Sequence, residues 1–142
     1  MLLLLALLAT APDPSSPQFT SIVRDAYRYA GNDKLKAGPG KQLVAIDIEF
    51  TGYDNGLDLD DVEILDATNS QVFDAAPEIA FLHADGTLYS WNEKDPDSPM
   101  RVLLVYEIPK TVKKIQLRLW DEALTKELTI AAKPRARGAA RP

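Results

Sequence analysis

The chain has 142 residues, of which 46% are hydrophobic and 26% are charged, a composition typical of a soluble globular protein. This length allows one domain with a full core and is short for two. The sequence contains no cysteine, which excludes disulfides, thiolate metal sites, cysteine nucleophiles and lipidation at a cysteine.

The charge is unevenly distributed along the chain. The formal net charge is -5, yet the last ten residues carry four positive side chains and no negative one: Lys133, Arg135, Arg137 and Arg141. Removing these four charges from -5 leaves the remaining chain at -9. An acidic body repels phosphate backbones, so nucleic acid is not expected as its partner. We predict that residues 132–142 form a basic, disordered tail, whose charge would suit nucleic acid, anionic lipid or an acidic wall polymer.

The N-terminus has the pattern of an export signal. An apolar run from Leu2 to Ala9 is too short to span a bilayer, and Ala9-Thr10-Ala11 offers the small residues that signal peptidase prefers. We assign residues 1–11 to a signal peptide and 12–18, which contain three prolines, to an extended linker. No Lys or Arg precedes the run, although signal peptides usually begin with a positive charge. The alternatives to cleavage after Ala11 are cleavage after Ala9 and an ordinary buried N-terminal segment that is not removed. Export would place the protein in the periplasm or outside the cell, without a stable membrane span once the leader is removed.

Residues 19–131 show the period-two pattern of β-strands. The clearest strand places Val44, Ile46, Ile48 and Phe50 on one face, with Asp47 and Glu49 between them, which predicts one dry and one wet face. Further strands are predicted at residues 19–29, 62–66, 71–73, 79–83, 87–91, 101–108, 115–119 and 128–130, separated by turn signals such as Asp85-Gly86.

About seven to nine short strands without a helical stripe predict an all-β protein. The expected architecture is an immunoglobulin-like antiparallel β-sandwich, and a closed barrel is the alternative.

The order of these segments resembles the telokin-like, immunoglobulin-like domains of secreted bacterial proteins and lipoproteins, a family of largely unknown function. The resemblance covers residues 19–130 and rests on four stretches: 41–51, the hairpin 81–89, the strand 104–109 that ends in Glu-Ile-Pro, and the closing strand 115–119. It implies this fold and an exported location, and it carries no catalytic motif or cofactor. The family often has a lipid-anchored cysteine near its N-terminus, which this chain lacks.

Acidic residues crowd the loop before the strand at residue 62. Carboxylate oxygens in an acidic loop are what calcium requires, so calcium candidates are Asp54, Asp58, Asp60 and Asp61. Their spacing does not fit an EF-hand, because Glu63 stands where glycine is needed, and a solvated acidic loop is the alternative. A single histidine and no cysteine make zinc unlikely.

The residues that remain favour binding over catalysis. His83, the only histidine, has no nucleophile motif to accompany it and is interpreted as a strand-end residue making ordinary hydrogen bonds. Trp91 and Trp120 are the candidate binding residues; Trp120 is expected on the outer side of its strand, and the alternative for both is a place in the core.

We therefore expect an exported, non-catalytic binding or accessory domain without a cofactor, acting through contacts with an unknown protein or with the cell envelope. The alternatives are a carbohydrate-binding module that uses exposed tryptophans and a small hydrolase that uses paired carboxylates.

Expression of the full chain with its leader tests the predicted export. The exported protein should begin at Pro12, or at Thr10 if cleavage follows Ala9, because small residues precede both bonds. N-terminal sequencing of the mature product reads this directly. A cytosolic product that still begins at Met1 would contradict the prediction.

Overall fold

The computed structural model describes residues 20–52, 58–90 and 99–135; the leader and the linker lie outside them. These residues form two five-stranded sheets. The first sheet has the order β10-β1-β2-β6-β5, with β1 at Thr20–Tyr29, β2 at Lys41–Thr51, β5 at Glu78–Leu82, β6 at Met100–Pro109 and β10 at Ala131–Arg135. The second has the order β4-β3-β7-β8, with β9 also paired to β7; its strands are β3 at Glu63–Asp66, β4 at Gln71–Val72, β7 at Lys114–Leu119, β8 at Glu122–Ala123 and β9 at Leu128–Thr129.

The two sheets pack face to face, which confirms the all-β sandwich. The inner faces of β2 and β6 are in register, with Val44 opposite Tyr106 and Ile46 opposite Leu104. They pack against the inner residues of β3 and β7 in one fully buried cluster that includes Ile48, Phe50, Val102, Ile108, Ile64, Ile115 and Leu117. The period of two predicted from the sequence therefore reflects burial of one face of each central strand.

One buried hydrogen bond connects the two sheets. The hydroxyl of Tyr106, on β6, donates to the carbonyl oxygen of Val62 at 2.8 Å, just before β3 begins. Burial raises the pKa of this hydroxyl, which therefore stays protonated and available as a donor. The bond satisfies a carbonyl group that would otherwise be buried without a partner.

The outer face of the first sheet is only partly exposed to solvent. Apolar side chains on it form a second buried cluster: Tyr27, Tyr29, Leu43, Ala45, Leu82, Leu103 and Val105. The expected wet face of β2 is thus confined to Asp47 and Glu49, and its other half is apolar. The sequence of β6 is consistent with this, because a strand buried on both faces reads as a continuous apolar run rather than an alternation.

The charged half of this face contains matched ion pairs. Asp25 on β1 lies directly opposite Asp47 on β2, and like charges in that position destabilise a sheet. Each carboxylate has its own guanidinium: Arg135 contacts Asp25 at 2.6 Å, and Arg101 contacts both oxygens of Asp47 at 2.6 and 2.8 Å. The bond to Asp47 raises the pKa of Arg101.

The boundary of the basic tail differs from the expected one. Residues 132–135, which we placed in a disordered tail, belong to β10, and β10 pairs with β1 in parallel although the other strand pairs of the described chain are antiparallel. The pairing is favoured because β10 covers part of the edge of β1, while Arg135 stacks on the ring of Tyr27 at 4.2 Å and pairs with Asp25. Residues 136–142 lie outside the described part.

Two predicted turns are present, with one difference. The hairpin of β3 and β4 turns at residues 67–70, as expected. The turn at Asp85-Gly86 also forms, but the strand predicted to return from it is reduced to a single bridge between Leu82 and Leu88. Among the described residues, no helix is long and apolar enough to cross a membrane.

Two isoleucines on neighbouring strands test the packing. Ile46 is fully buried on β2, whereas Ile22 on β1 is 49% exposed. Ile46→Ala should lower the free energy of unfolding by about 2–5 kcal/mol, because it removes buried methyl groups and leaves a cavity.

Ile22→Ala is the matched control and should change stability by no more than about 0.5 kcal/mol. Urea denaturation of both variants makes the comparison, and equal effects would contradict the burial described above.

Candidate functional site

A cleft of about 630 Å³ lies at one end of the sandwich. Its walls come from three parts of the chain: the 3₁₀ turn Leu59–Asp61 with the start of β3, the segment that follows β4, and the turn between β7 and β8. We call it the Trp120 cleft. It brings together segments that are distant in sequence because β3 lies between β4 and β7 in the second sheet.

Trp120 occupies an unusual backbone position beside this cleft. It and Asp121 form the two-residue loop between β7 and β8, since Leu119 pairs directly with Glu122. Both loop residues have positive φ, 48° for Trp120 and 67° for Asp121, the pattern of a type I′ turn that favours asparagine and glycine. A bulky aromatic residue is rare there because its Cβ is crowded. Trp120 is nevertheless 47% exposed, so the fold covers only about half of its surface.

Carboxylates dominate the polar side of the cleft. They are Asp60, Asp61, Glu63, Asp74 and Asp121. Glu63 is paired with Arg118, whose Nε and Nη2 lie 3.1 and 2.9 Å from the same oxygen, and Arg118 also lies 3.8 Å from Asp121. Asp60, Asp61 and Asp74 have no cationic side chain within ion-pair distance in the described ranges. The cleft therefore carries an excess of negative charge next to an exposed aromatic surface.

The 3₁₀ turn holds its two aspartates outward. Leu59 and Val62 are buried and anchor the turn to the core. The side chain of Asp58 accepts a hydrogen bond from the backbone N–H of Asp60 at 3.0 Å, and its carbonyl accepts one from the N–H of Asp61 at 3.0 Å. Asp58 thus acts as the N-cap of the turn, while the carboxylates of Asp60 and Asp61 remain free to face the cleft.

The structure brings together some of the residues singled out from the sequence. Asp60, Asp61 and Trp120 line the same cleft although we assigned them to two different hypotheses. Asp54 and Trp91 lie outside the described residues, and Asp58 is engaged as a cap. Within the described ranges, no group of three or more acidic or histidine side chains is placed to hold a metal ion, so the calcium hypothesis gains no support there.

Sequence reasoning missed Asp74 and Asp121 as parts of the site. Asp121 directly follows Trp120, and this adjacency was an available signal. Asp74 offered none, since its contribution depends on the order of strands in the second sheet.

His83 lies in a different hairpin. Its backbone N–H donates to the carbonyl of Thr87 at 2.8 Å, and its ring stacks on Tyr89 with 4.1 Å between the ring centroids. Within this turn Asp85 accepts hydrogen bonds from the hydroxyl and the backbone N–H of Thr87, and these lower the pKa of Asp85. Arg101 ties the turn to the sheet by donating to the carbonyl of Ala84 at 2.7 Å. These contacts hold the hairpin together and fix it to the sheet, which is a structural role for the segment that contains His83.

The described residues thus form a small two-sheet β-sandwich. An open, acidic cleft lined by Trp120 lies at one end of it. No protein-family model, curated protein or solved structure matches this chain. The geometry of the cleft is therefore the basis for assigning a function.

Replacement of Trp120 by asparagine tests whether the indole serves the fold. Because asparagine tolerates positive φ and the indole is half exposed, Trp120→Asn should raise the free energy of unfolding by about 0.5–1 kcal/mol. Thermal or urea denaturation measures the change.

Trp120→Leu is the control, since it removes the ring without relieving the backbone, and it should not stabilise. A large loss of stability in Trp120→Asn would mean that the indole is part of the core.

Proposed function

We propose that this protein is an exported, non-catalytic binding domain of the immunoglobulin-like class, and that the Trp120 cleft is its recognition site. The observation that carries the proposal is the exposed indole in a backbone conformation that disfavours it, next to three carboxylates that have no cationic partner in the described chain. A side chain that neither packs in the core nor suits its turn is best explained by contact with a ligand.

The chemistry of the cleft limits the kind of ligand. The indole offers a flat apolar face that favours stacking and also attracts cations. The carboxylates of Asp60, Asp61 and Asp74 accept hydrogen bonds and repel anions. A suitable ligand therefore has an apolar or planar face beside N–H or O–H donors, and it is neutral or positively charged. An extended segment of a protein partner with lysine or arginine side chains meets each of these requirements.

Carbohydrate is the second candidate ligand. A sugar ring stacks on an exposed indole through its C–H face, and its hydroxyl groups donate to neighbouring carboxylates. The position of Trp120 beside Asp60 and Asp61 favours this candidate as well. The two ligands differ in charge, because a cationic protein segment gains from the negative excess of the cleft while a neutral sugar does not depend on it.

The proposed location follows from the leader and the resemblance to exported domains. Export would present the cleft to partners in the cell envelope or outside the cell. A binding role needs neither a cofactor nor a buried catalytic group, and we propose none.

The test compares ligand binding by the exported protein and by Trp120→Ala, with Leu88→Ala as a matched control. Leu88 is also 47% exposed but lies in another hairpin. The probes are a panel of envelope polysaccharides and partners crosslinked in envelope extract, each then titrated in purified form. Trp120→Ala should weaken binding about tenfold or more, whereas Leu88→Ala should leave it within about twofold of the wild type.

Asp60→Asn with Asp61→Asn then separates the two ligand classes. It should abolish salt-sensitive binding of a cationic protein partner and weaken binding of a neutral sugar only modestly. A ligand bound equally well by the wild type and Trp120→Ala would remove the cleft from the proposal.

A further inference from the structure

The lysines of the described chain are concentrated at the end of the sandwich opposite the Trp120 cleft. Seven lysine side chains are described, and six of them lie in or beside the loops at this end: Lys34, Lys36, Lys41, Lys110, Lys113 and Lys114. All six are exposed, and the seventh, Lys126, lies between β8 and β9. We call the region formed by these six residues the lysine end.

Hydrogen bonds hold the loops of the lysine end together. Lys41 begins β2 and pairs with Pro109 at the end of β6, and the backbone N–H of Lys110 donates to Gly40 at 2.9 Å. The buried side chain of Gln42 donates to the carbonyls of Pro109 and Val112 at 3.0 and 2.9 Å. The chain from β6 to β7, which includes Lys113, is therefore fixed next to the start of β2.

Most of this positive charge has no internal partner. Lys114 contacts Glu127 at 3.1 Å; the other five lysines have no carboxylate within ion-pair distance in the described part of the chain. The carboxylates at this end are Asp33, Asp66, Glu78, Glu107 and Glu127, and Glu78 lines the same pocket as Lys34. Six lysines against five carboxylates leave a formal charge of +1.

The described chain also ends near this end. β10 runs parallel to β1, and the carbonyl of Arg135 accepts a hydrogen bond from the N–H of Ala30 at 2.9 Å, just past the end of β1. Arg135 is paired with Asp25, so this pair adds no net charge.

The opposite end is acidic. Eight carboxylates lie in or near the Trp120 cleft and the neighbouring hairpin: Asp58, Asp60, Asp61, Glu63, Asp74, Asp85, Asp121 and Glu122. With Arg118 they leave a formal charge of -7. The bond from the Ser21 hydroxyl to the carbonyl of Leu124 at 2.8 Å ties this end to the start of β1. The ten residues of β1 separate the two ends by about 30 Å, several times the Debye length of about 8 Å at physiological salt.

We propose that the lysine end binds the surface of an anionic phospholipid bilayer, with the Trp120 cleft directed away from it. Lysines on flexible stems without a built pocket suit a fluid array of headgroups better than a ligand of fixed geometry. A flat surface would contact only the lysine end, because salt screens the charges of the distant acidic end from that surface. A nucleic acid long enough to run along the flank would meet the acidic side as well. Vesicle binding by the lysine end does not depend on what the Trp120 cleft binds. Each of the two proposals can therefore fail without the other.

Vesicle co-sedimentation of the mature protein tests the proposal. The probes are phosphatidylcholine vesicles with and without phosphatidylglycerol, at low and high salt. The protein should bind only the anionic vesicles, and high salt should release it. The variant Lys36→Gln/Lys41→Gln/Lys110→Gln/Lys113→Gln should weaken binding about a hundredfold or more, since each lysine near an anionic surface contributes a factor of roughly five and the four factors multiply. The corresponding four-arginine variant should bind like the wild type.

Single substitutions provide matched controls for net charge. Lys110→Gln should weaken binding several-fold, whereas Thr51→Glu, at the exposed end of β2 on the acidic side, changes the net charge equally and should have an effect below about twofold. Glu122→Gln, at the acidic end, should also leave vesicle binding unchanged. Equal effects of Lys110→Gln and Thr51→Glu would overturn the proposal, as would binding to pure phosphatidylcholine.

Two further outcomes would also overturn it. The first is binding of a duplex DNA, measured by fluorescence anisotropy and dependent on the same lysines, without binding to vesicles. The second is release from vesicles by inorganic phosphate beyond the effect of chloride at equal ionic strength, which would indicate a discrete phosphate site.

Discussion

The inner side chains of β2 and β6 must be buried against those of β3 and β7, and the rest of the structure is arranged around this packing. It fixes the register of the two long central strands, because a shift by one residue would turn Ile46 and Leu104 away from the core. It also fixes which loops share an end of the molecule. The 3₁₀ turn before β3 and the turn after β7 meet at one end, and the loops that precede β2 and follow β6 meet at the other.

The ends of the sandwich differ in charge because lysines outnumber carboxylates in the loops of one end and carboxylates predominate in those of the other. The loops around β2 and β6 are rich in lysine, and those around β3 and β8 are rich in aspartate and glutamate. Both sets are attached to the core by a few buried residues, such as Leu59 beneath the acidic turn and Gln42 beneath the lysine loops. A chain with a net charge of -5 can therefore present a basic surface and an acidic one about 30 Å apart, which net charge alone does not convey.

Trp120 illustrates how a proposed function can rest on a local conflict. Its turn favours asparagine or glycine, and about half of its surface stays exposed, so local structure argues against tryptophan and packing compensates only in part. Arg118 holds Glu63 across the strand pair beside it, and Asp60, Asp61 and Asp74, which have no cationic partner within the described residues, give the cleft its excess of negative charge. The same reasoning assigns the ion pairs of Asp25 and Asp47 to the fold, because each pair neutralises a charge that the sheet brings opposite a like charge.

The sequence alone determined the central strands, since alternation at Val44–Phe50 and Ile115–Leu119 depends only on which side chains avoid water. It also identified Asp60, Asp61 and Trp120 as unusual residues. It did not determine that they share a cleft, because that depends on the order β4-β3-β7 in the second sheet, and a one-dimensional pattern carries no information about which strands become neighbours. The same limitation applies to β10, whose residues read as a charged tail until Tyr27 and Asp25 are known to lie beside them. Local periodicity follows from burial of individual side chains, whereas the cleft, the last strand and the separation of charge arise from contacts between segments far apart in the chain, and only the tertiary structure decided those.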